Sequence, residues 1–130
     1  MTVYDSSVLI DYLDGVDEAV TYVDKHLDER AVTPPLVLFE IYQGEVFKSG
    51  PADFAAVDGA LEWVTIVDVT AEHARAAGQL QDELQRRGET LAARDAFIAG
   101  VARGLDERLV VSDADFDVSG ITDVLEVDFL

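Results

Sequence analysis

Residues 1–13 read MTVYDSSVLIDYL. Thr2, Val3 and Tyr4 suit a short strand, Asp5 follows at once, and after Ser6 and Ser7 the apolar residues take helical spacing. A strand that leads straight into a carboxylate and then a helix opens an α/β unit. It sets Asp5 at the carboxyl end of the strand, where open α/β sheets bind ligands. Two duties suit Asp5 there: capping the helix that begins at Ser6 or Ser7, or serving as a ligand.

The rest of the chain repeats the alternation. A second helix is expected in DEAVTYVDKHLDER (17–30), with Ala19, Val20, Val23 and Leu27 on one face, and AVT (31–33) reads as a strand. Pro34 and Pro35 suit the start of a mostly apolar helix, LVLFEIYQGEVFKSG, ending near Gly50. PADFAAVDGALEW (51–63) looks helical, VTIVDV (64–69) is a third strand, and Thr70 caps a long helix through Leu84 to Gly88. TLAARDAFIAGVARGL (90–105) is another helix, with Phe97, Ile98, Val101 and Leu105 as its buried stripe. RLVVSD (108–113) is a fourth strand, and TDVLEVDFL holds a fifth. Strands alternating with helices predict an α/β domain with a mainly parallel sheet covered on both faces. With 130 residues and 49% hydrophobic content, one domain spanning 1–130 around one core is expected.

Composition excludes several chemistries. No cysteine is present, which removes disulfides, thiolate metal sites, cysteine nucleophiles and iron–sulfur clusters together. The apolar stretches are short and broken by charge, far from the roughly 20 residues of a membrane helix. No charged leader precedes an apolar run, so a cytoplasmic chain is expected. The 27 Asp and Glu against 9 Lys and Arg leave a formal charge of -18. Such a balance ordinarily disfavours nucleic acid, which prefers a basic face. The acids, however, are spread along the chain among core-forming residues, and only two of the cations are lysine. That surface suits a halophile, because at molar salt the Debye length is only about 3 Å and like charges are screened.

Most of the acids lie on polar helix faces or ends and read as solvated charge. Four do not. Asp5 and Asp113 each end a strand, so both project from the carboxyl edge of the sheet; if those strands are neighbours, their spacing of about 4.8 Å lets both carboxylates approach one cation. Glu40 interrupts the apolar run LVLFEIY, and Asp95 opens the helix continued by AFIAGVA. Buried carboxylates need protons, arginines or metal ions. Asp95 also suits a first-turn acid favoured by the helix dipole, and Asp113 with Asp115 and Asp117 a turn-rich loop.

With these residues in view, the chain resembles the PIN-domain ribonucleases and, among them, the VapC-type toxins of toxin–antitoxin pairs. The resemblance rests on YDSSVLIDYL, TPPLVLFEIYQG, ARDAFIAGVARG and VVSDADF, in the family's order and spacing and over essentially the whole chain. It implies a three-layer α/β/α sandwich with strand order 3-2-1-4-5, which puts strands one and four side by side. It implies an acidic site of Asp5, Glu40, Asp95 and Asp113, with Asp115 as an additional acid and Ser7 and Ser112 as supporting hydroxyls. Thr33 followed by two prolines departs from the family's usual serine-led helix start, and Ile41 stands where leucine is common.

Carboxylates without histidine or cysteine suit a hard cation, Mg²⁺ or Mn²⁺. Asp5, Asp95 and Asp113 are assigned mainly to metal binding, and Glu40 to metal or the attacking water. The resemblance further implies an RNA substrate, a VapB-type antitoxin and a homodimer. Arg94, Arg86 and Arg87 are the nearest cations in sequence to the site, the last two reading first as C-terminal helix charge. His26 and His73 are assigned surface or packing roles, and Tyr4, Phe39, Tyr42, Trp63 and Phe97 to the core. Three rivals stand beside this reading: a housekeeping PIN ribonuclease without an antitoxin, a non-catalytic metal-binding module, and a haloacid-dehalogenase-type phosphatase. The last needs a second Asp two residues after the first, where Ser7 stands.

Overall fold

In the computed structural model, which describes residues 1–130, the strands are β1 (Thr2–Tyr4), β2 (Ala31–Thr33), β3 (Val64–Ile66), β4 (Arg108–Val111) and β5 (Val127–Phe129). They form one sheet in the order β3-β2-β1-β4-β5, and every neighbouring pair is parallel. Consecutive residues of the inner strands are buried: Thr2, Val3 and Tyr4 in β1, Ala31, Val32 and Thr33 in β2, Leu109, Val110 and Val111 in β4. Successive side chains point to opposite faces, so unbroken burial means that both faces are covered. The fold is the α/β/α sandwich expected, with strands one and four adjacent. The edge strands β3 and β5 are the exposed ones.

The covering helices are α1 (Ser6–Leu13), α2 (Asp17–Lys25), α3 (Pro35–Phe47), α4 (Phe54–Ala60), α5 (Ala71–Arg86), α6 (Ala93–Leu105) and α7 (Ile121–Val124). The first six fall in expected segments, with ends drawn in by a few residues; α7 is not among the expected helices, since TDVLEVDFL reads only for the fifth strand. The closest packing joins α5 to α6. A Cβ at Gly100 would overlap Ala77 of α5, so only glycine permits this approach.

Several core assignments are corrected. Phe39 is 57% and Leu27 65% exposed, and Phe97, Leu105, Tyr42 and Trp63 are only partly buried, while Tyr4 is in the core. Leu27 lies beyond the end of α2 at Lys25 and so leaves that helix's apolar face. Helix α3 is apolar around most of its circumference, yet it buries only Val37 and Ile41 and leaves Phe39, Val46 and Phe47 outside. His26 stacks on Tyr22 with ring centroids 4.0 Å apart, and His73 Nδ1 accepts from the Thr70 N–H at the start of α5.

Candidate functional site

The end of β1 continues in the sheet for one residue, because the Asp5 N–H donates to Val110 O at 3.1 Å. The chain then turns into α1 with Asp5 as its N-cap. Asp5 Oδ2 accepts from the Ser7 N–H at 3.1 Å and from Ser7 Oγ at 2.6 Å. The cap expected of Asp5 is thus made by one carboxylate oxygen, and the other, Oδ1, is free of that task. Asp5 is only 1% exposed, and Oδ1 accepts no hydrogen bond.

Ser7 and Ser112 brace this carboxylate. Ser7 Oγ accepts the Ser112 N–H at 3.0 Å, and Ser112 Oγ donates to Asp11 Oδ2 at 2.9 Å. The segment after β4 is thereby fixed to the segment after β1. Asp113 caps a single 3₁₀ turn (Ala114–Phe116) by accepting the Asp115 N–H at 2.9 Å, and the fully buried Phe116 anchors that turn. Asp115 itself is exposed, and its carboxylate has no hydrogen-bond or ion-pair partner within the chain.

Glu40 on α3 and Asp95 on α6 come to the same place, joined by Arg94. Arg94 Nε donates to Glu40 Oε2 at 2.9 Å, and Nη2 donates to Glu40 Oε1 and to Ser6 Oγ, the latter at 2.7 Å. Nη1 donates to Asp95 Oδ1 at 2.8 Å and stands 2.9 Å from Asp5 Oδ1, outside hydrogen-bond geometry. Burial alone would lower the Arg94 pKa; the Glu40 bond, the charge of Asp5 and the Asp95 bond outweigh it and hold the guanidinium protonated. Burial raises the Asp95 pKa, and although Arg94 opposes this, the charges of Asp5 and Asp113 add to it. Asp113 follows Ser112, whose N–H bonds the same Ser7 hydroxyl that donates to Asp5, so its backbone stands beside the site.

The structure thus gathers Asp5, Glu40 and Asp95 around one arginine with Asp113 nearby, and leaves Asp115 in the flanking turn. Sequence reasoning marked Arg94 only as a nearby cation; the signal for its role was the pair of acids, Glu40 and Asp95, set in apolar helices that demand a counter-charge. Arg86 bonds Asp82 on its own helix, and Arg87 follows as the C-cap of α5, as their helix-end reading expects. As the side chains stand, no three acids or histidines converge as a ligand set. The donors nonetheless fit a hard divalent ion: all are carboxylate oxygens, and the buried Asp5 Oδ1 is an acceptor without a donor.

The comparison with curated proteins finds no match. Solved structures of similar fold are several. VapBC2 from Rickettsia felis, bound to a DNA fragment from its promoter, matches with a TM-score of 0.80 and 17% identity over 98% of this chain and 97% of that one. FitAcB from Neisseria gonorrhoeae gives the same values. VapBC-5 of Mycobacterium tuberculosis, a toxin–antitoxin system, gives 0.71 and 24% over 99% and 96%. The PIN domain profile matches residues 2–120, a stretch that runs from β1 past Asp113 and so includes every acid of the site. The chain belongs to the PIN domain family, whose members are generally nucleases.

Proposed function

We propose that this chain is a metal-dependent ribonuclease that hydrolyses RNA phosphodiester bonds as the VapC-like toxin of a toxin–antitoxin pair. The observation that carries the reading is the buried Asp5, whose Oδ1 receives no hydrogen bond, at a sheet edge where Glu40 and Asp95 from two further segments share one arginine with it. Three acids against one arginine leave the cluster short of positive charge. Asp5, Asp95 and Asp113 hold Mg²⁺ or Mn²⁺. When bound, the ion supplies Lewis-acid stabilisation of the phosphate and lowers the pKa of a water.

The chain's own groups do the positioning. Ser7 fixes Asp5 through two donors to Oδ2, which leaves Oδ1 turned away from the cap. Glu40, with 28% of its side chain exposed, has the access to solvent that a residue orienting the attacking water needs. As the water oxygen bonds to phosphorus, its proton passes to the Glu40 carboxylate, the P–O3′ bond breaks, the 3′-oxygen takes a proton from solvent, and the product carries a 5′-phosphate.

An antitoxin segment entering the acidic groove would bring an arginine to the carboxylates in competition with the ion. The exposed Phe39, Val46 and Phe47 offer α3 an apolar face for a second copy of the chain. A second reading, a structural ion cluster without turnover, draws on the absence of three converging ligands. The test is cleavage of a total RNA pool at high salt with Mg²⁺ or Mn²⁺, with Asp5→Asn beside the wild type. Metal-dependent cleavage lost in the variant supports the nuclease; intact RNA with a folded, metal-loaded, antitoxin-free protein leaves the structural cluster. Copurification of the neighbouring reading frame's product tests the antitoxin.

A further inference from the structure

One guanidinium serves three carboxylates, and it serves one of them badly. Arg94 gives Glu40 a two-pronged pair and Asp95 a 2.8 Å bond, but Nη1 makes no hydrogen bond to Asp5 Oδ1, which lies 2.9 Å away off the N–H direction. Asp5 Oδ1 is buried and receives no hydrogen bond from any other group. No other cation of the chain pairs with these acids: Arg86 pairs with Asp82, Arg103 with Glu83 and Arg108 with Glu29.

We infer that Arg94 is an internal competitor for the divalent ion: it neutralises Asp5, Glu40 and Asp95 when no ion is bound and must release Asp5 and Asp95 before an ion can take them. The inference rests on the reading of these acids as a metal site. A guanidinium cannot leave by losing its proton, so it leaves only by moving. Its path is open, since the Arg94 side chain is 29% exposed and its strongest partner, Glu40, is 28% exposed, whereas Asp5 is braced by Ser7 and immobile. Arg94 turns outward from Asp5 and Asp95, and the ion takes the buried oxygen that the arginine leaves unserved.

Two consequences follow from this exclusion. The ion-free chain buries Asp5 without waiting for metal, because the counter-charge is covalently present. The apparent affinity for the ion is reduced by the fraction of molecules in which Arg94 has released its partners.

The test is Mn²⁺ titration at molar KCl, followed by electron paramagnetic resonance of the free ion, for wild type, Arg94→Lys and Arg94→Gln. Arg94→Gln is expected to bind Mn²⁺ at least about tenfold more tightly than wild type, the mark of a released fraction of about one-tenth or less. Arg94→Lys, which keeps the charge and loses the fork, falls between them. Equal or weaker binding by Arg94→Gln overturns the inference, as does the absence of Mn²⁺ binding in all three. Should Arg94→Gln not fold without metal, the wild type decides: the Arg94 Nη protons held by Asp95 and Ser6 are protected from exchange in ion-free protein, and saturation with Mg²⁺ is expected to erase that protection. Protection that persists overturns the inference. RNA cleavage is scored separately: tighter Mn²⁺ binding without cleavage keeps the competitor and removes the nuclease, whereas cleavage with no gain in binding does the reverse.

Discussion

The Ser112 N–H donates to Ser7 Oγ at 3.0 Å, although the two residues are 105 apart in sequence. The hydroxyl's own proton goes to Asp5 Oδ2 at 2.6 Å, so one small side chain ties the end of β4 to the carboxylate at the end of β1. Ser7→Ala leaves the amide and the carboxylate oxygen each one partner short. A loss of about 1–2 kcal/mol is expected, read as a lower thermal midpoint at unchanged denaturant slope.

Asp5 caps α1, and the proposed function also makes it a ligand; the two duties separate by substitution. Asparagine caps helices about as well as aspartate, so Asp5→Asn keeps the fold and loses more cleavage than the roughly 10- to 100-fold that outer partners of a metal ligand control. Asp5→Ala loses the cap as well and is about 1 kcal/mol less stable than Asp5→Asn. Chemical denaturation beside an RNA assay checks both. Equal activity in Asp5→Asn and wild type removes Asp5 from the site.

Asp95 titrates above the ordinary aspartate value, from burial first and from Asp5 and Asp113 next, with Arg94 pulling the other way. A carboxyl raised on folding binds protons more readily in the native state, so its contribution to stability is present below the unfolded pKa and is lost as pH rises through the folded one. Arg94→Gln removes the opposing charge and moves the Asp95 midpoint further up. Carbon-detected titration of the Asp95 carboxyl reads this directly; a midpoint that falls in Arg94→Gln contradicts it.

Gly100 lets α5 and α6 approach where any Cβ would overlap Ala77. Gly100→Val forces the helices apart, with an expected cost of about 1–3 kcal/mol for overpacking. The overlap includes the Ala77 backbone, with Cα at 2.6 Å and N at 2.7 Å, so Ala77→Gly is not expected to rescue it. A thermal midpoint unchanged by Gly100→Val would show that the helices need no such close approach.

A charge of -18 on 130 residues repels itself strongly at low salt. The thermal midpoint is expected to climb as KCl is raised from tens of millimolar to molar, where screening acts within about 3 Å. A midpoint independent of salt removes the halophile reading.

The inner strands were legible because Val3–Tyr4, Ala31–Val32 and Leu109–Val111 run apolar without alternation, the mark of a sheet covered on both faces, and the acids because they interrupt such runs or end them. Adjacency of β1 and β4 came only from family resemblance, since parallel neighbours leave no local trace. Phe39 and Leu27 misled because hydrophobicity says that a residue avoids water, not what covers it. The hub at Arg94 escaped because its partners stand 54 and 88 residues away, and local spacing carries no information on such pairs.

The order of strands in the sheet also sets a timetable. β1 leaves the ribosome first, yet one of its two neighbours, β4, begins at Arg108, and Asp95 and Asp113 emerge only with the last third of the chain. At about 5–20 residues per second of synthesis, Asp5 waits several seconds for them. A nascent chain therefore carries no assembled acidic cluster until Asp95 and Asp113 have both been made.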